Sequence, residues 1–200
     1  QPFAFAIISD TQGNPKVSGK MANFAWGLRP NFLLHPGDLV DTGSVKSQWL
    51  NDFFLSMKPL LERVALFPVL GNHEQDARFY YDYMSLPAPE YYYTFDYANA
   101  QFFMIDSNRE VGPGSEQFQF LERELKKSTA QWKIVCYHHP AYSSDENDYG
   151  NSWYGPSTRG DLRTRKLVPL FDKYGVAIVW NGHIHTHEGP EPFPPQRAAA

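Results

Sequence analysis

Five short apolar runs in this chain, at residues 3–9, 31–35, 66–70, 133–137 and 176–180, each stop at Asp, Asn or His close to a glycine or a proline. Runs of that length bounded by turn residues are read as buried strands followed by polar loops. Helical patterns fill the gaps: residues 18–28, then 45–61 with Trp49, Phe53, Phe54 and Met57 at helical spacing, and a stretch near 164–174. Strand, polar loop and helix in repetition is an α/β layout. In such sheets the loops beyond the carboxyl ends of the strands converge on one rim, where ligands bind.

The middle of the chain is richer in aromatics. Residues 91–97 and 101–106 predict a hairpin around Ala98, Asn99 and Ala100, and 115–127 a helix with Phe118, Leu121 and Leu125 on its apolar face and Ser115 as its cap. A long polar loop is expected over 143–160, and the prolines of 190–195 can continue neither a helix nor a central strand. Neither a repeat nor a linker interrupts the pattern, so residues 1–200 read as a single domain with a proline-rich tail from about 189. Apolar runs such as 132–137 fall far short of the ~20 residues that cross a bilayer. With 18 basic and 22 acidic residues, a net charge of −4 and no long basic run, a broad nucleic-acid surface is not expected. A small anionic substrate remains open if metal ions supply local positive charge. The start at Gln1 and the end in Ala198, Ala199 and Ala200 suggest a processed or trimmed chain, and a processed form would fit a secreted or periplasmic location.

All seven histidines, His35, His73, His138, His139, His183, His185 and His187, lie at a predicted strand end or in the loop after it. The same loops carry Asp10, Asp38, Asp41 and Asn72. Imidazoles mixed with carboxylates and an amide oxygen suit Zn, Mn or Fe, whereas the single Cys136, read as a buried strand residue, excludes both a thiolate site and an intramolecular disulfide. Any one of these residues alone reads as a turn former. Their joint order is far more specific than any member.

That order, Asp10-Thr11-Gln12, Gly37-Asp38-Leu39-Val40-Asp41, Gly71-Asn72-His73-Glu74, His138 and Gly182-His183-Ile184-His185, resembles the calcineurin-like metallophosphoesterase superfamily. Its pattern runs Asp-x-His, Gly-Asp-x-x-Asp, Gly-Asn-His-Asp/Glu, His, Gly-His-x-His. The segments around Tyr92, Gly114-Ser115-Glu116-Gln117 and His138-His139-Pro140-Ala141-Tyr142 are similar to the purple acid phosphatase branch. The resemblance implies a two-sheet mixed β-sandwich flanked by helices, a four-layer α/β/β/α fold, here incomplete at its C-terminal end. It implies a dinuclear-metal-dependent phosphoester hydrolase, with a small phosphorylated substrate and a metal-bound hydroxide attacking in line. Asp38 would bridge two divalent ions, Asp10 and His185 would hold the first, and Asn72, His138 and His183 the second. His73 would donate a hydrogen bond to the phosphoryl group or protonate the leaving oxygen.

Two departures from the pattern matter. Gln12 stands where many relatives have a metal-binding histidine, and Asp41 where purple acid phosphatases have a metal-binding tyrosine. Either could complete the first ion with oxygen, which suits Mn, Mg or Fe better than Zn and predicts a protein without strong colour. The 143–160 stretch lacks the histidines that would carry substrate specificity over. His35 reads as a residue beneath the site, His139 as a competitor of His138, His187 as a pocket or solvent residue, Asp106 as a structural hydrogen-bonder, and Glu74 as either an orienter of His73 or an exposed loop acid. Tyr91, Tyr92, Tyr93, Phe95 and Tyr97 read as hairpin packing. Phosphomonoester hydrolysis is the first reading; phosphodiester hydrolysis and a metal- or phosphate-binding module without turnover are the alternatives.

Overall fold

A computed structural model of the chain describes residues 2–145 and 157–185. His187, the proline-rich tail and most of the 143–160 loop therefore lie outside the described residues. The chain runs β1 (Phe5–Ile7), α1 (Pro15–Gly27), β2 (Phe32–His35), a π-helical segment (Gln48–Phe54) continuous with α2 (Leu55–Leu61), β3 (Ala65–Pro68), α3 (Arg78–Tyr83), β4 (Tyr93–Tyr97), β5 (Ala100–Met104), α4 (Glu116–Lys127), β6 (Trp132–Cys136), a 3-10 turn (Thr164–Leu167) leading into α5 (Val168–Tyr174), and β7 (Ile178–Trp180).

Two sheets result. The first is wholly parallel, in the order β1-β2-β3; the second runs β4-β5-β6-β7, with an antiparallel hairpin β4-β5 and parallel pairs beyond it. Strand alternation sorts the side chains into layers. Phe32 and Leu34 of β2 pack with Phe102 and Met104 of β5 and with Ile134 and Cys136 of β6 in one cluster between the sheets. Leu33 points the other way, toward Trp49, Phe53, Met57 and Leu60. Phe103 and Val135 likewise turn outward to Leu121 and Leu125 of α4 and Leu170 and Phe171 of α5. The arrangement is helix, sheet, sheet, helix, the four-layer α/β/β/α sandwich.

The seam between the sheets is aromatic. Phe32 stacks on Phe5 with centroids 5.1 Å apart and meets Phe67, Phe95 and Phe102 edge to face. Phe67 of β3 stacks on Phe95 of β4 at 3.8 Å. Tyr93 Oη donates to the Pro68 carbonyl at 2.8 Å, a polar link across the same seam.

Some predicted bounds move. Helix α1 starts at Pro15 because Asn14 caps it, its side chain accepting from Val17 N–H, and proline suits the first helical turn. The 45–61 stretch is divided into a π-helical segment and α2, a division that nothing in its apolar spacing marks. The 164–174 stretch divides before Pro169, and Gly175, at φ 67, ends α5 in the left-handed conformation. Helix α3 escapes the sequence reading: it is six residues long, and tertiary contact holds it, with Tyr80 buried and its Oη donating to the Pro68 carbonyl. Ser115 caps α4 as expected, accepting from Phe118 N–H.

Candidate metal centre

Every loop of the candidate site leaves the carboxyl end of a parallel strand: Asp10 follows β1, Asp38 follows β2, Asn72 follows β3, His138 follows β6, and His183 and His185 follow β7. Asp10, Asp38, His183 and His185 all take positive φ, between 55° and 78°. Non-glycine residues avoid that region, at a cost of about 1–3 kcal/mol each. Loop-to-loop hydrogen bonds hold them there: Asp10 N–H donates to the Gly37 carbonyl at 3.1 Å, Thr11 N–H to the Asp38 carbonyl at 2.9 Å, and His183 N–H to Asp10 Oδ1 at 2.9 Å. The motif glycines are required by close approach. A Cβ on Gly37 would lie 2.7 Å from His138 Nδ1, and one on Gly71 would run into the Asp38 carboxylate.

Seven of the eight expected ligand residues meet in one cleft. His138 Nε2 lies 3.0 Å from Asp38 Oδ2, 3.0 Å from Asn72 Oδ1 and 3.2 Å from His183 Nδ1. In a second group, His185 Nε2 lies 3.4 Å from Asp10 Oδ1 and 3.1 Å from Gln12 Nε2, which is itself 3.4 Å from Asp38 Oδ2. Asp38 thus belongs to both groups. The other ring nitrogen of His138, Nδ1, donates to the Pro36 carbonyl at 2.8 Å, which orients the ring and leaves Nε2 for the cleft.

The donor set fits divalent cations. Around His138 Nε2 stand a carboxylate oxygen, an amide oxygen and an imidazole nitrogen, all electron-pair donors, and one ring proton can satisfy only one of them. Gln12 Oε1 is buried with no partner, and a half turn of the amide would bring that oxygen toward Asp38 and His185. Asp10, Asp38 and His138 form one compact triad of ligand atoms, and His138, His139 and His183 another.

The electrostatics point the same way. Burial works against charge on His138, yet Asp38 and Asp10 push its pKa up to about 9. Burial likewise opposes charge on Asp10, but His185 and His138 hold it at about 2; Asp38 is lowered against the same burial by His138. Burial and the charge on His138 lower His183 to about 4, while hydrogen bonding to Asp10 raises His185. Two carboxylates, Asp38 buried and Asp10 partly so, attract positive charge into the cleft.

The remaining candidates separate. Asp41 is half exposed and turns to His73: His73 Nδ1 lies 2.8 Å from the Asp41 carbonyl and 3.6 Å from its carboxylate. No hydrogen bond or ion pair joins Asp41 to Asp10, Asp38 or His185 among the described residues. His35 is buried beneath the site. Thr11 Oγ1 donates to the Leu39 carbonyl, so it accepts from His35 Nε2 at 3.1 Å, and burial holds this ring neutral with a pKa near 4. His139 packs against the rings of His138 and His183, with Ser107 Oγ at Nδ1. Asp106 is a structural hydrogen-bonder, bonded by Asn108 and Arg109. Glu74 is no exposed acid: it is fully buried and bonds backbone N–H groups instead of His73. Burial and the Asp38 charge raise its carboxyl to about 7 against the pull of those bonds. Asn108, whose Nδ2 donates to the Leu70 and Gly71 carbonyls, carried no sequence signal; these partners lie 38 and 37 positions away.

A family model described as calcineurin-like phosphoesterase matches residues 3–187. The "Probable inactive purple acid phosphatase 27" of Arabidopsis thaliana is 27% identical over 184 residues, covering 79% of this chain and 29% of that protein. Purple acid phosphatase 22 of the same plant is 25% identical over 205 residues, covering 94% of this chain and 45% of its own length. The chain therefore spans less than half of either curated relative. In fold it is similar to the purple acid phosphatase PPD1 of yellow lupin, with a TM-score of 0.72 at 19% identity over 92% of this chain and 38% of that one.

Proposed function

Since the chain belongs to the calcineurin-like phosphoesterase family, we propose that it hydrolyses phosphoesters, phosphomonoesters first, with two divalent cations held between its sheets. The observation that carries this reading is the convergence of Asp38 Oδ2, Asn72 Oδ1 and His183 Nδ1 on His138 Nε2. Asp10, Gln12, Asp38 and His185 would hold one cation, and Asp38, Asn72, His138 and His183 the other. When bound, the pair supplies neutralisation of phosphoryl charge and a water of lowered pKa. His73 Nδ1 donates to the Asp41 carbonyl, so only the imidazolium, with the Asp41 carboxylate 3.6 Å away, would have a second proton on Nε2 to donate to a phosphoryl oxygen or hand to the leaving oxygen. Asp41 serves by orienting His73 and leaves the first cation to the Gln12 oxygen. The oxygen-rich first group favours Mn, Mg or Fe over Zn.

Metal analysis after gentle purification, followed by assays on p-nitrophenyl phosphate and bis(p-nitrophenyl) phosphate with Mn, Mg, Fe or Zn added, tests the proposal. Turnover of the monoester above the diester is expected. Diester preference would move the reading to a phosphodiesterase. Background rates with all four metals would leave a binding module, and a stoichiometric zinc pair would remove the oxygen-rich assignment.

A further inference from the structure

Glu74 closes the Gly-Asn-His-Glu motif, and no candidate ligand side chain is bonded to its carboxylate among the described residues. Both carboxylate oxygens are consumed by backbone. Oε2 accepts from Gly71 N–H at 2.7 Å and Asp38 N–H at 2.9 Å, and Oε1 from Leu39 N–H at 2.7 Å and Val40 N–H at 3.2 Å. One buried side chain therefore ties the loop after β2 to the loop after β3. The backbones are latched again beside it: Gly43 N–H donates to the His73 carbonyl at 2.9 Å, and a Cβ on Gly43 would run into the Glu74 backbone. Asp38 in turn accepts His73 N–H on Oδ1 at 2.9 Å and faces His138 with Oδ2. The orientation of the shared carboxylate is thus fixed from behind.

From this geometry we infer that Glu74 is the positioning residue of the proposed cation pair: it sets the direction of Asp38 and the placement of Asn72 without touching either cation. The inference rests on the two-cation reading above. Its chemistry is specific to a carboxylate, since two oxygens with two lone pairs each match four N–H groups, whereas an amide offers one oxygen and turns an NH2 on two donors. Glu74→Gln is therefore isosteric yet disruptive.

The test uses the full chain with MnCl2 as the titrant, read by calorimetry beside far-UV circular dichroism. Glu74→Gln with wild-type dichroism is expected to bind Mn about 10–100-fold more weakly, as loss of a supporting hydrogen-bond partner does elsewhere. Raising Mn should restore turnover in step with occupancy while the dichroism stays level, whereas metal-driven refolding of an unfolded fraction would change the dichroism as well. Wild-type Mn affinity in the folded variant would overturn the inference. If Glu74→Gln does not fold, Glu74→Asp, one methylene shorter with its charge kept, carries the same comparison and the same two outcomes. Hydrogen exchange of the Asp38, Leu39, Val40 and Gly71 amides in the wild type is independent of any metal: rapid exchange at these four overturns the inference. A wild type that binds no Mn while these amides stay protected sinks the functional reading and leaves the clasp standing.

Discussion

The two sheets bring different chemistry to the same cleft. The loops after β1, β2 and β3 deliver oxygen in Asp10, Asp38 and Asn72, with Gln12 beside them; the loops after β6 and β7 deliver nitrogen in His138, His183 and His185. The oxygen half is stiffened by its own backbone clasps, whereas the nitrogen half is aimed by bonds that cross the seam, His138 to the Pro36 carbonyl and His183 N–H to Asp10. Ligand geometry is therefore a property of how the sheets meet.

The strongest way to break the contrast is Asp38→Asn, which removes charge from the residue shared by both groups. Turnover and Mn stoichiometry should both collapse, with activity down by more than about 100-fold, beyond the range typical of supporting residues. Steady-state assays with metal analysis check it; one retained Mn per chain would show that the halves do not depend on a common carboxylate.

A smaller effect separates seam from outer layer. Phe32→Ala should cost about 3–5 kcal/mol and Leu121→Ala about 2–5 kcal/mol by thermal or urea unfolding. Only the seam variant, whose ring lies between the sheets, should also weaken Mn binding in the folded state. Equal affinities in the two variants would separate ligand geometry from the seam.

The smallest effect is one of pH. In chelator, the proton on His138 is held to about 9 against an ordinary 6.5, so its contribution is complete below 6.5 and is lost as pH rises toward 9. Melting temperature should fall across that window and flatten when Mn is added, because the cation takes the place of the proton. A chelator-treated protein whose melting is level from pH 6.5 to 9 would contradict this.

Much of this was legible in the sequence, and for a physical reason. Asp10, Asp38, Asn72, His138 and His183 follow their strands within a few positions, so local pattern carries them to the rim. The strands themselves show through as runs of Phe, Leu, Ile and Val with turn residues at their ends. What stayed hidden depends on contacts far apart in the chain. Glu74 reads like any loop acid until the loop after β2 is folded over it. Helix α3 is too short to show a period and rests on Tyr80. Gln12 and Asp41 looked equivalent as oxygen donors, and only the path of the backbone turns one toward Asp38 and the other toward His73.

The bond from His138 to the Pro36 carbonyl joins residues 102 positions apart. Contacts of such sequence separation are slow to form, because a long loop must close before they return any energy. A growing polypeptide exposes Asp10 and Asp38 well before His138, His183 and His185. On the two-cation reading proposed above, capture would wait until β7 has docked on β6, so metal uptake would report the meeting of the two sheets.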